Sequence, residues 1–154
     1  MNSISRVPAY IFDIDGTLAD GSHRIHHIQR ADGAAKNWDS YFAALHNDTL
    51  IKPVADIAKA LYYEGNKIVF VSGRPEEYRY STVRWLDKHA LCIGNLYMRL
   101  AGDRRDDDIV KIELLAQIRS DGYEPVMAFD DRDRVVRAWR AAGIPCAQVA
   151  EGDF

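Results

Sequence analysis

Short apolar runs rich in β-formers alternate along this chain with longer stretches of helical period. Ala9 to Phe12, Lys67 to Val71, Asn95 to Arg99, Pro125 to Phe129 and Pro145 to Val149 read as strands. The first, second and fourth are too continuously apolar for a sheet with one wet face, so they predict strands covered on both sides. Helical spacing fits Asn37 to His46, Pro53 to Glu64, Pro75 to Ala90, Asp107 to Ser120 and Asp131 to Ala142. Two of these open with Pro near the first turn, and Gly65 and Gly143 follow two of them as stop signals. The alternation predicts an α/β fold of three layers, a mostly parallel central sheet with helices on both faces.

Parallel sheets of this kind bind ligands outside the carboxyl ends of their strands, near the point where strand order reverses. The polar motifs fall at those ends. Phe12 leads into "DIDGT", Val71 into "SGR" and Phe129 into "DDRD", while "DDDIVK" carries Lys111 on the start of a helix. Each motif alone also fits a capped helix start or a tight turn. Four of them in order, each at the end of a strand or the start of a helix, point instead to one rim with shared chemistry.

Asp13 and Asp15 can both face that rim because the chain turns after the strand, with Gly16 permitting the turn. Crowded carboxylates call for a cation. Asp13, Asp130 and Asp131, joined by a backbone carbonyl and waters, suit Mg²⁺, which takes few protein ligands. The candidate metal set is therefore Asp13, Asp15, Asp130 and Asp131, with Asp15 not ligating through its side chain. The same residues suit phosphoryl transfer through an aspartyl-phosphate, with Asp13 as nucleophile and Asp15 as general acid and base. Lys111 would neutralise charge, Ser72 and Thr17 would offer hydroxyls, and Asp107, four residues before Lys111, could orient its ammonium.

At 154 residues and 47% hydrophobic, the chain fits one globular domain spanning 1–154. The net charge of −3 argues against coating duplex nucleic acid through overall positive charge, although arginine outnumbers lysine 14 to 6 and suits phosphate. No apolar stretch approaches a membrane span and the first nine residues lack a signal-peptide pattern, so a cytoplasmic location and no membrane partner are expected. Cys92 and Cys146 read as core residues rather than a disulfide or zinc pair.

The strings "FDIDGTLAD", "VSGR", "AGDRRDDDIVK" and "FDDRDRVVRAWRAAGIPC", with the closing "QVAEGDF", resemble the haloacid dehalogenase superfamily of phosphohydrolases. Within it they more closely resemble the 3′-phosphatase domain of bacteriophage polynucleotide kinase/phosphatase, over nearly the whole chain. The resemblance implies a Rossmann-like fold with a minimal cap, Mg²⁺ as cofactor, and a catalytic set of Asp13, Asp15, Ser72 and Lys111. It implies Asp130 and Asp131 at the metal and Asp107 behind the lysine. Arg24, Arg74, Arg99 and Arg132 match arginines of that domain and are candidates for holding substrate phosphates or supporting the acidic site.

Two segments depart from that pattern. The stretch from Arg24 to Pro53 is longer than its counterpart and the stretch after Arg74 is shorter, so about 25–52 is expected to form a short lid-like insertion. Trp38, Tyr41, Phe42 and Leu45 share one helical face there, which reads first as a packing face and second as a base-stacking platform. His23, His26 and His27 have metal-like spacing but no evident carboxylate partner. The 154 residues hold no GxxxxGK[ST], so a kinase or ligase would be a separate partner. The expected activity is removal of 3′-phosphates from polynucleotide ends. The alternative is a phosphatase for nucleoside monophosphates.

Overall fold

The computed structural model describes residues 5–153. Five strands form a wholly parallel sheet: β1 (Val7–Phe12), β4 (Lys67–Pro75), β5 (Gly94–Arg99), β6 (Tyr123–Asp130) and β7 (Cys146–Gln148), in the order β5-β4-β1-β6-β7. Strand order reverses between β1 and β6, so the crevice that such sheets use for ligands opens beyond Phe12 and Phe129. These two rings stack with centroids 4.4 Å apart and close the core directly beneath that crevice.

Period-two alternation sends successive strand residues to opposite faces. Ala9, Ile11, Val69 and Val71 join Val110, Leu114, Val135, Val136 and Trp139 in one core. Phe12, Ile68 and Phe70 join Val54, Ala55, Ala58, Trp85 and Leu86 in the other. Helices α4 (Asp107–Ser120) and α5 (Asp133–Ala141) therefore cover the first face, and α2 (Lys52–Tyr63) and α3 (Arg79–Lys88) the second. Both faces are apolar because both are buried, which is why these strands read as unbroken hydrophobic runs.

Between β1 and α2 the chain makes an excursion. A two-residue antiparallel ladder of β2 (Ala19–Asp20) with β3 (Thr49–Leu50) closes its base. Residues 21–48 carry only the six-residue helix α1 (Trp38–Ala43) and short 3₁₀ turns. Ladder pairs this short leave no periodic signal, and neither strand was expected.

The element boundaries differ from expectation at three functional places. Pro75 closes β4 opposite Arg99 with extended dihedrals, and α3 starts only at Arg79, after a 3₁₀ turn at Glu76–Tyr78. Asp131 and Arg132 stay outside α5, Arg132 being extended, so their side chains remain at the rim. The helix expected over Asn37 to His46 stops at Ala43; Asn37 caps it by accepting from the Ser40 amide at 3.0 Å, and Leu45 is buried in the following turn. Cys92 is a further correction: it is exposed in the link to β5, because Leu91 takes the buried position beside it, whereas Cys146 lies in the core. Among the described residues no helix is long and apolar enough to cross a membrane.

Candidate active site

Asp13 follows β1, and its amide donates to the Phe129 carbonyl at 3.0 Å, so the two strand ends are tied at the crevice. The chain then turns back: the Leu18 and Ala19 amides both reach the Ile14 carbonyl at 2.8 Å, with Gly16 at φ +81°. A side chain at residue 16 would also strike the Asp131 carboxylate. Glycine is thus required both by the turn and by the approach of a second acidic residue.

Lys111, on the second turn of α4, is buried and reaches Asp13 Oδ1 at 2.8 Å and Asp130 Oδ2 at 2.9 Å. Thr17 donates to the other Asp13 oxygen at 3.0 Å, and the Trp139 indole donates to Asp130 at 3.2 Å. Asp131 completes a cluster: Asp13, Asp130 and Asp131 each offer an oxygen within 4.8 Å of the others, and all three are buried. It is the one group of potential metal ligands of this kind among the described residues.

Three buried carboxylates therefore face one buried ammonium. Burial raises the Asp13 pKa well above the usual carboxylate range; Lys111 opposes this, while Asp130 and Asp131 add to it. Burial and then the Asp130 charge push Asp131 up to about 6. Burial works against a charged Lys111, but Asp13 and Asp130 outweigh it and hold the ammonium protonated. With all four groups ionised the cluster carries two excess negative charges, so the donor set fits a divalent cation with oxygen ligands.

Asp15 is held quite differently. Arg74 grips it with two donors, Nε to Oδ2 at 2.9 Å and Nη2 to Oδ1 at 2.7 Å, and Arg24 adds a third at 2.6 Å. Burial raises its pKa, but Arg74 and Arg24 outweigh burial and leave it at about 2. Its side chain keeps 31% of its exposure, so one edge of the carboxylate faces the mouth.

Both arginines are fully buried and share a second anion, Asp48. Arg24 donates to its two oxygens at 2.7 Å each, and Arg74 adds a bond at 3.0 Å. Asp48 stands just before β3 and was not anticipated; no motif surrounds it. The sequence carries no signal for it, because the burial of the two arginines that need its charge arises only in the fold. The excursion carries Arg24 and Asp48, while Asp15 and Arg74 come from the sheet, so this four-residue network fastens the excursion over the rim. His23 belongs to it as well, 2.9 Å from Asp48, whereas His26 and His27 lie against each other with centroids 4.0 Å apart.

The other expected residues take these places. Ser72, in β4 where its regular pairing with β5 breaks, is buried with its hydroxyl accepting from the Arg74 amide at 3.1 Å. Asp107 does not bond Lys111, although its charge helps keep that lysine protonated. Its carboxylate receives Arg99 on one oxygen and Arg132, at 3.4 Å, on the other. Arg99 also donates to the carbonyls of Gly73, Asp103 and Arg105, and so pins the loop before α4 against the "SGR" turn. Arg24 and Arg74 face carboxylates rather than solvent; Arg132 is the half-buried arginine at the rim.

Similarity to known proteins follows the same lines. A family model for the phosphatase domain of polynucleotide kinase PNKP matches residues 7–154. A chain of Autographa californica nuclear polyhedrosis virus, named as a bifunctional polynucleotide kinase/RNA ligase, is 30% identical over 138 residues, which cover 89% of this chain and 18% of that one. A chain in the structure of the Pnkp1/Rnl/Hen1 RNA repair complex superposes with a TM-score of 0.83 at 32% identity, covering 100% of this chain and 48% of that chain. The present chain thus spans less than half of either relative. A haloacid dehalogenase-like hydrolase from Streptococcus pneumoniae shares the fold, with a TM-score of 0.64 at 13% identity over 92% of this chain and 84% of that one.

Replacing Asp48 by Ala leaves two buried guanidinium groups short of an anion, and the expected cost is about 3–5 kcal/mol of stability. Removing the exposed Asp56, paired with Lys52 on the surface, should change stability by less than about 1 kcal/mol. Urea unfolding of the two variants beside the parent measures both; a cost below about 1 kcal/mol for Asp48→Ala would mean that the network does not hold the excursion.

Proposed function

This chain belongs to the family of polynucleotide kinase PNKP phosphatase domains and is a phosphomonoesterase of the haloacid dehalogenase type; from that premise we propose that it removes 3′-phosphates from polynucleotide ends in a Mg²⁺-dependent reaction. The observation that carries the chemistry is the Lys111 ammonium set between Asp13 and Asp130 in a buried cluster with excess negative charge. The polymer substrate is supported by the family and by relatives named for polynucleotide kinase, RNA ligase and RNA repair. The reading of a 3′-phosphorylated end is supported by a covering excursion whose one α-helix has six residues, the rest being 3₁₀ turns and loop.

Asp13, Asp130 and Asp131 would hold the metal through side chains, with Asp15 contributing only from its main chain because its carboxylate is occupied by arginines. When bound, Mg²⁺ supplies positive charge to the phosphoryl oxygens. An Asp13 oxygen attacks phosphorus as the bond to the 3′ oxygen breaks, and Lys111 lowers the repulsion between the two anions. Asp15 gives a proton to the departing 3′ oxygen. The incoming phosphate beside it is a like charge that favours this protonated form. A water then attacks the aspartyl-phosphate, Asp15 takes its proton, and inorganic phosphate leaves with Asp13 restored. Ser72 and Thr17 would offer hydroxyls around the phosphoryl group, and Arg132 would meet a substrate phosphate at the mouth. Kinase and ligase activities would complete the healing and sealing of such ends.

A matched set of substrates tests the reading: an RNA and a DNA strand with a 3′-phosphate, the same strands with a 5′-phosphate, and the 3′- and 5′-mononucleotides, each with Mg²⁺ and with EDTA. Faster release from 3′-phosphorylated strands, lost in EDTA, is the expected result; comparable or faster release from mononucleotides would reassign the enzyme to nucleotide turnover. Asp13→Asn should bring phosphate release to background while preserving the cooperative unfolding transition, and activity retained by that variant refutes the covalent route. For Asp15→Asn, the rate on a ribose ester should drop about 10²–10⁴-fold, and the rate on nitrophenyl phosphate, whose leaving group needs no proton, much less. Equal losses on the two substrates would remove Asp15 from the proton transfer.

A further inference from the structure

Helix α1 carries three aromatic residues in six positions, and none of its residues is buried. Trp38 is 46% exposed, yet its ring is ordered among others: it stacks on Phe42 with centroids 5.9 Å apart, and Phe42 meets Tyr78 at 4.9 Å. Tyr78 lies in the 3₁₀ turn just after the "SGR" strand end. The three rings therefore form a ridge bridging the excursion and the rim of the sheet.

The ridge lies close to the reacting groups. Trp38 packs edge-on against Tyr41 at 5.7 Å, Tyr41 lies 4.0 Å beneath the Arg24 guanidinium, and Arg24 donates to Asp15 at 2.6 Å. Adding the guanidinium's own bond length puts the Trp38 ring within about 14 Å of the Asp15 carboxylate. That span is one that the last two or three nucleotides of an extended strand can cover, at several ångströms of backbone each. Lys36 sits with its ammonium 5.5 Å from the Trp38 ring, so a cation accompanies the exposed aromatic face.

A ring that served only the core would be covered. Leu45 takes that part for this stretch, being fully buried, and Tyr41 is held under Arg24. What is left over is an open aromatic edge, a lysine beside it and a charged crevice within a short chain's reach. From this arrangement, and resting on the proposed 3′-phosphatase reading, we infer that Trp38 with Phe42 and Tyr78 is the stacking platform for bases near the 3′ end of a single strand, with Lys36 meeting its backbone phosphate. Stacking on aromatic side chains tolerates any base, because every base has a π-face. The platform thus selects a strand over a mononucleotide and an unpaired end over a duplex, without reading sequence.

Steady-state kinetics separate this from a packing role. Two substrates are compared, a 3′-phosphorylated single-stranded octanucleotide and nitrophenyl phosphate, which shares the catalytic centre but has no base to stack. Trp38→Ala should lower the ratio of kcat/KM for strand over nitrophenyl phosphate by about 5- to 150-fold, chiefly through KM, and Trp38→Phe should recover most of it. The unmodified protein supplies a second measurement: an octanucleotide with abasic sites at its last three positions should lose the same factor. A parallel fall on both substrates after Trp38→Ala, or equal rates on the abasic and normal strands, overturns the platform while leaving the 3′-phosphatase reading in place. Absence of any release from 3′-phosphorylated strands by the unmodified protein overturns both.

Discussion

Three carboxylates and one ammonium are buried together at the reversal of strand order, and the ammonium offsets only part of the negative charge. Burial and the Asp130 charge raise the proton affinity of both Asp13 and Asp131, Asp131 adds to the rise at Asp13, and Lys111 opposes it at both. The cost of such a cluster is borne by the sheet around it. Two fully apolar faces, the stacked Phe12 and Phe129 beneath the crevice, and a backbone bond from Asp13 to Phe129 hold the strand ends where the acids must meet. An excess of buried negative charge beside a lysine suits a positive charge with oxygen ligands.

The second organising contact is the pair of buried arginines between Asp15 and Asp48. It separates two neighbouring acids electrostatically: Asp13, in the carboxylate cluster, is driven up in pKa, and Asp15, two residues on, is driven down to about 2. Neighbours in sequence thus become unlike in chemistry, because one sits among carboxylates and the other between guanidinium groups. The same arginines give the excursion a fixed seat. Arg24 and Asp48 stand on it, so the local electrostatics of Asp15 depend on the excursion being in place.

Much of this was readable in one dimension because its rules are local. Apolar runs marked the five parallel strands, and α4 occupies Asp107–Ser120 as its period and acidic first turn indicated. The motif residues fell at strand ends because a strand's last polar residues must leave the core. What escaped was non-local. Pro75 looks like a helix opener, but pairing with Arg99 keeps it extended. Asp107 has the spacing to bond Lys111, but Arg99 and Arg132 reach its oxygens instead.

Sequence alone determined the alternation of elements, the apolar faces and the identity of the acids at the rim, since these follow from period, propensity and motif spacing along a single chain. Tertiary structure decided which charges became partners. Asp48 could be paired with Arg24 and Arg74 only once residues 24, 48 and 74 had been brought together, because ion pairing depends on separation in space and on burial. Trp38, likewise, is an ordinary helical aromatic in the sequence. Its place near the crevice comes from Tyr41, which packs against Trp38 and lies beneath Arg24.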